Sequence, residues 1–204
     1  MKIIDLTHEF IDNMSHSAYD TAPTLNEIKT VARDGYKDSV LTSSMHIGTH
    51  VDAPAHMLKD GKTLLDYPLD KFIGSGCVFD CRGKTSIGLT AEMKNTMKKD
   101  DMVVLYTGSD LLFNEDLYYE KHPVITIDLA EYLVKCEVKC LVMDFFSPDK
   151  HPFDVHKLLL KNDILLVENI KGANKLLGLD FELVIAPLKM RTGGAFARVF
   201  AQIK

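Results

Sequence analysis

Tryptophan is absent from this chain of 204 residues, and other scarcities narrow its possible roles. No apolar run approaches the roughly 20 residues needed to span a bilayer, so no membrane partner is expected. Cations are not in excess: 24 Lys and Arg against 29 Asp and Glu leave a net charge of −5, with no basic footprint for nucleic acid. Cysteine is limited to four residues, as Cys77/Cys81 and Cys136/Cys140. Zinc knuckles need a tighter C-x2-C turn, whereas Cys77–Cys81 reads as a strand whose ends cannot meet. Reduced, buried thiols in a reducing compartment are the expectation. No serine sits in a G-x-S-x-G elbow, since Gly74-Ser75-Gly76 is too short for one. Thr192-Gly193-Gly194-Ala195 lacks the context and lysine of a phosphate loop, and reads as the turn before the last strand. The opening Lys2-Ile3-Ile4-Asp5-Leu6 reads directly as a strand without a leader, which points to the cytoplasm.

What remains is ordinary globular material: 46% hydrophobic and 26% charged residues, enough for one domain over residues 1–204 with a substantial core. Strand patterns fall at residues 2–7, 27–32, 39–47, 77–80, 102–106, 124–127, 140–144, 164–167, 181–186 and 197–203. Helical patterns fall at 91–99, 129–135 and 155–161, with Thr90, Asp128 and Asp154 as candidate N-caps. Residues 124–144 read strand–helix–strand, so part of the sheet is expected to be parallel. The fold class is mixed α/β.

Chemistry concentrates in the window His46-Ile47-Gly48-Thr49-His50-Val51-Asp52-Ala53-Pro54-Ala55-His56. In extended backbone, alternate side chains share a face, so His46, His50 and Asp52 are expected to converge, with Gly48 leaving space between the imidazoles. Gly48, Thr49, Val51 and Pro54 argue against a helix. Two imidazoles and a carboxylate suit Zn²⁺ or a similar divalent ion and leave a coordination position open. His56, one short turn beyond Pro54, is near enough to exchange protons there. So many titratable groups in an apolar stretch are costly unless something binds them.

The stretch from Ser44 to His56 resembles the HxGTHxDAPxH signature of the metal-dependent cyclase family, which includes bacterial kynurenine formamidases and isatin hydrolases. Ile4-Asp5-Leu6-Thr7-His8, Tyr106-Thr107-Gly108, the segment Asp144 to Asp149, Ala186-Pro187-Leu188-Lys189 and Gly194 to Arg198 resemble further family segments. The resemblance implies a single-domain swivelling β/β/α fold with a mixed, partly barrel-like sheet. It also implies a second metal position, completed by a histidine and a glutamate twelve residues apart. His156 and Glu168 stand at that spacing. Locally, His156 falls in the helical pattern, and Glu168 ends the apolar run Ile164-Leu165-Leu166-Val167, where an unpaired carboxylate is unexpected.

By this resemblance the chain is a metal-dependent amide hydrolase of arylformamidase type, acting in tryptophan catabolism through a water activated by the metal. His46, His50 and Asp52 would hold one metal and His156 and Glu168 a second, with Asp52 bridging. His56 would be the general acid–base. Two Zn²⁺ per chain are expected, and Mn²⁺ is a possible replacement. The substrate is a small amide, and a homodimer or larger homo-oligomer is implied. Kynurenine formamidases place an aromatic clamp, Met-Pro-x-Trp-Pro-Gly-Asp, where this chain reads Met14-Ser15-His16-Ser17-Ala18-Tyr19-Asp20; Tyr19 is the aromatic residue left to bind substrate. The alternatives are an isatin hydrolase-like cyclic amidase, a cyclase or lyase, and a non-catalytic metal-binding module.

Overall fold

A computed structural model describes residues 2–204. Its strands are β1 (Lys2–Asp5), β2 (Thr24–Lys29), β3 (Asp38–Thr42), β4 (His50–Asp52), β5 (Ile73–Asp80) and β6 (Ser86–Ile87), followed by β7 (Met102–Tyr106), β8 (Val124–Ile125), β9 (Cys140–Met143), β10 (Leu165–Glu168), β11 (Phe181–Pro187) and β12 (Gly194–Ile203). The helices are α1 (Val31–Asp34), α2 (Ala91–Thr96), α3 (Asp116–Glu120), α4 (Ile127–Cys136) and α5 (Asp154–Lys161). Eight strands follow the order β1-β12-β11-β5-β7-β9-β10-β4, and β4 also pairs with β12, closing seven of them into a barrel. β5, β7, β9 and β10 run parallel; β4, β11 and β12 pair antiparallel with their neighbours. The mixed, barrel-like sheet implied by the family resemblance is therefore present.

Alternation along each strand divides the apolar residues between two cores. On β7, Met102, Val104 and Tyr106 point into the barrel, and Val103 and Leu105 point out beneath the helices. Both faces are covered, which is why this strand reads as an unbroken apolar run. α4 lays Leu129, Ala130 and Leu133 on the outer face, and α5 buries Val155, His156, Leu159 and Leu160. Burying each leucine contributes about 1.5–3 kcal/mol, so α5 is firmly seated on the sheet. His156 occupies a position within that buried stripe and is carried toward the strands.

Several expectations need correction. The strand expected over 39–47 stops at Thr42, and His46 lies in a turn. Gly48 has φ +63°, a left-handed turn residue rather than a strand position, and a Cβ there would meet Met14 Cε at 3.1 Å. The shared-face argument for His46 and His50 therefore fails, although both reach the same place. β8 lies outside the main sheet and pairs with β6. Asp128 and Asp154 are not N-caps; both lie in the first turn of their helices. Thr90 does cap α2, accepting from the Met93 N–H. Cys81 and Cys140 are buried, Cys77 and Cys136 partly so, and all four are unbridged. Among the described residues no helix is long and apolar enough to cross a membrane.

Candidate metal centre

The site is built on the outer face of the barrel, where β12, β4 and β10 lie side by side. Val51 and Ala53 fill the interior, so His50 and Asp52 must face outward. Register places Glu168 and Phe196 on either side of His50, and Gly194 opposite Asp52. α5 passes over this face and contributes His156. The turn Pro54–His56 contributes His56, and the turn preceding β4 contributes His46.

Distances divide the residues into two groups that share Asp52. His46, Asp52 and His56 form one; His50, Asp52 and Glu168 form the other, with candidate ligand atoms within 4.8 Å of each other in each. His46 Nδ1 lies 2.8 Å from Asp52 Oδ1, and His50 Nε2 lies 3.5 Å from both Asp52 Oδ1 and Glu168 Oε2. His156 Nε2 stands 3.4 Å from Glu168 Oε1. Thus His46 and His50 fall into different groups, and His56 joins His46, their rings 4.0 Å apart. Asp52 stands between the groups, where a bridging carboxylate was expected.

The donor set fits a cation. Among the described residues, His46 Nδ1, His50 Nε2, Asp52 Oδ1 and Glu168 Oε1 are buried and lack hydrogen-bond partners. Leaving one such group unsatisfied costs about 1–3 kcal/mol, and four clustered together call for a common partner. Imidazole nitrogens mixed with carboxylates suit Zn²⁺ and also accept Mn²⁺.

The charges are strongly coupled. Burial opposes ionisation of Asp52, but His50, His46 and His56 hold its carboxyl far below the ordinary range. Burial, with Asp52 nearby, pushes Glu168 upward. Burial also disfavours a proton on His46, yet Asp52 and Glu168 outweigh it and raise the imidazole. His156 is likewise opposed by burial but carried up to about 10 by its hydrogen bond to Asp149 and by the neighbouring Glu168 carboxylate. His56 behaves oppositely: burial and the surrounding imidazoles His46, His156 and His50 outweigh the pull of Asp52 and lower it to about 4, so the ring is neutral near pH 7.

Three supporting residues escaped the sequence reading. Asp149 accepts from His156 Nδ1 at 2.5 Å and from the backbone N–H groups of Val155 and His156 at 2.7 and 3.2 Å. One carboxylate therefore caps α5 and aims the imidazole. Its place in the segment Asp144–Asp149 was visible, but the turn connecting it to His156 was not. Gly194 is open space required by His46, since a Cβ there would lie 2.5 Å from His46 Cε1. Gly193 does the same for the peptide at His56, 2.5 Å from its nitrogen. The expected turn before the last strand holds for Gly193 only, since β12 begins at Gly194 rather than at 197.

A cavity of about 900 Å³ opens above the groups, walled by Met57, Tyr119, Phe146 and Phe153. Tyr19 lines its edge but is fully exposed, so the enclosed aromatic surface belongs to the other rings. Those rings were missed because nothing local in Tyr118-Tyr119 or Phe145-Phe146 distinguishes a cavity wall from a core.

A barrel carrying imidazoles and carboxylates on its outer face places the chain in a definite class. Residues 4–150 match the family described as putative cyclase, and the chain belongs to it. Kynurenine formamidase of Bacillus anthracis is 31% identical over 155 residues, 74% of this chain and 72% of that protein. An uncharacterized protein of Methanocaldococcus jannaschii is 29% identical over 191 residues, 93% of this chain and 92% of its own length. Isatin hydrolase A from Labrenzia aggregata, solved with benzyl benzoate, superposes with a TM-score of 0.84 at 22% identity, covering 98% of this chain and 93% of that one. A structure described as a potential metal-dependent hydrolase with cyclase activity gives 0.81 at 24%, covering 98% and 96%.

Proposed function

We propose that this chain is a metal-dependent hydrolase that cleaves the C–N bond of an aryl or cyclic amide. The observation carrying this reading is the set of four unpartnered buried polar atoms beneath an aromatic-walled cavity. His46, Asp52, His50, Glu168 and His156 would hold divalent metal, two ions per chain, with Asp52 shared. When bound, such an ion acts as a Lewis acid toward the carbonyl and brings the pKa of water near neutrality. His56, a neutral imidazole at the cavity floor, takes the proton of the attacking water and returns it to the departing nitrogen. Asp149 keeps His156 aimed. Tyr119, Phe146 and Phe153 hold the flat ring of the substrate, with Tyr19 at the mouth.

The kynurenine formamidase relatives make N-formylkynurenine, an intermediate of tryptophan breakdown, the first substrate to try, and the isatin hydrolase folds make isatin the second. We further infer a cytoplasmic homodimer or larger assembly. The β2–β3 ribbon supports the assembly, for it leaves Leu25, Ile28, Tyr36, Val40 and Leu41 exposed, and light scattering after gel filtration tests it.

The test is turnover of both amides by protein loaded with Zn²⁺ or Mn²⁺, with His56→Ala as the control. We expect acid release by the parent, and in the variant an unchanged metal content with turnover lost. Equal loss of metal would make His56 a ligand. Ring closure or dehydration without acid release would establish a cyclase or lyase instead.

A further inference from the structure

Asn169 immediately follows Glu168, is 2% exposed and has φ +57°. Every hydrogen-bonding group on it is engaged. Its N–H donates to Phe145 O at 3.4 Å, and its own carbonyl accepts from Thr49 Oγ1 at 2.6 Å. Its side chain accepts from Tyr118 Oη at 2.5 Å and donates through Nδ2 to Gly48 O at 3.0 Å. That Gly48 carbonyl is also the partner of His50 Nδ1, at 2.8 Å.

A carbonyl oxygen only accepts, so both groups meeting it must donate. The amide orientation of Asn169 is thereby fixed, and Nδ1 of His50 must carry the ring proton. Nδ2 and Nδ1 stand 3.4 Å apart as two donors converging on one acceptor. The other nitrogen of His50, the unpartnered Nε2, then presents its lone pair toward Asp52 and Glu168. Tyr118 is buried and packed edge-on against Phe113 and Tyr119, which fixes the hydroxyl end of the chain.

We propose that Asn169 is a positioning residue: with Tyr118 behind it, it locks the Gly48 carbonyl and so fixes the tautomer and ring angle at which His50 meets the metal. Left-handed Gly48 turns that carbonyl back toward the ring of His50; Asn169 prevents the peptide from rotating away. The inference rests on the reading of His50 as a ligand.

The variants are Asn169→Gly, which keeps the left-handed backbone but removes the donor, and Tyr118→Phe, which removes only the hydroxyl. His50→Ala is the reference. Each protein is loaded with Zn²⁺ and challenged with a chromophoric chelator; Co²⁺-loaded samples give visible spectra, and metal-free samples give melting curves. We expect Asn169→Gly to hold metal 10- to 100-fold less tightly and to shift the Co²⁺ band. Tyr118→Phe should change both in the same direction by less than tenfold. Metal-free melting points within about 4 °C of the parent would show the effect is not general loosening. Parental retention and spectrum in both variants would overturn the proposal. If Asn169→Gly does not fold, an unchanged Tyr118→Phe protein overturns it alone. Full metal content in His50→Ala would overturn the ligand reading itself, a distinct result.

Discussion

Replacing Gly194 by alanine separates the needs of the site from those of the fold. The added Cβ would lie 2.5 Å from His46 Cε1 and 3.0 Å from both ring nitrogens. Carbon contacts are comfortable at about 3.5–4.0 Å, so the ring must retreat by roughly 1 Å. The His46 side chain keeps 26% of its surface exposed, which gives the ring solvent to move into. The backbone has no reason to object, as Gly194 lies in β12 without a left-handed φ. A glycine-to-alanine change at such a position typically contributes about 0.4–1 kcal/mol through the unfolded chain. A functional constellation tolerates about 0.5 Å of displacement, and a 1 Å misplacement costs on the order of 100-fold in rate. We therefore expect Gly194→Ala to melt within a few degrees of the parent while losing roughly 100-fold in turnover, together with metal from the His46 group. Metal per chain by mass spectrometry and melting by circular dichroism measure the two sides independently. Parental metal content and turnover in a folded variant would refute the claim that this glycine is space reserved for His46.

Other perturbations address separate parts. Asp149→Ala should remove a helix cap worth about 1 kcal/mol and weaken metal retention 10- to 100-fold, read by urea denaturation and chelator competition. Glu168→Gln should lower bound metal from two ions to one per chain; an unchanged count would remove Glu168 from the ligand set. His8 is lowered to about 4 by burial and then by Lys171. Its folded value is depressed, so its contribution to stability is present above about 6.5 and is lost as pH falls toward 4. Allowing for its partial exposure, His8→Gln should flatten that decline by no more than about 2 kcal/mol, and an identical stability profile between pH 7 and 4 would exclude the effect.

Much of the sheet was legible because alternation and burial are local signals. Met102–Tyr106 was read with its observed bounds, since five consecutive buried residues leave little freedom. The eleven-residue window His46–His56 was legible because four side chains able to hold a metal or move a proton, His46, His50, Asp52 and His56, fall within one short stretch. Its geometry was not: Gly48 adopts a left-handed turn, and that conformation follows from what packs on it, Met14 and Asn169, both distant in sequence. The cap of α5 illustrates the same limit. Asp154, the expected cap, lies inside the first turn, and the chain folds back so that Asp149 accepts from the helix N–H groups instead. The turn expected over Thr192–Ala195 is shorter than read: Gly193 precedes the strand but Gly194 is already its first residue, and their role at the site depends on residues 46 and 56, far earlier in the chain.

β12 has a consequence for how the protein acquires its site. One edge of this strand carries β11 along most of its length, while the other is divided between β4 near its start and β1 near its end. The last strand therefore joins two of the earliest, across the longest separations the chain offers, and such contacts form slowly. Gly194 and Phe196 reach Asp52 and His50 only through that pairing. If these groups hold metal as proposed, its capture is coupled to the arrival of β12: a nascent or clipped chain lacking that strand would carry His46, His50, Asp52, His156 and Glu168 and still have no finished centre. During refolding, tight metal uptake should accompany the final kinetic phase; uptake in an early phase would show that β4, β10 and α5 assemble the centre unaided.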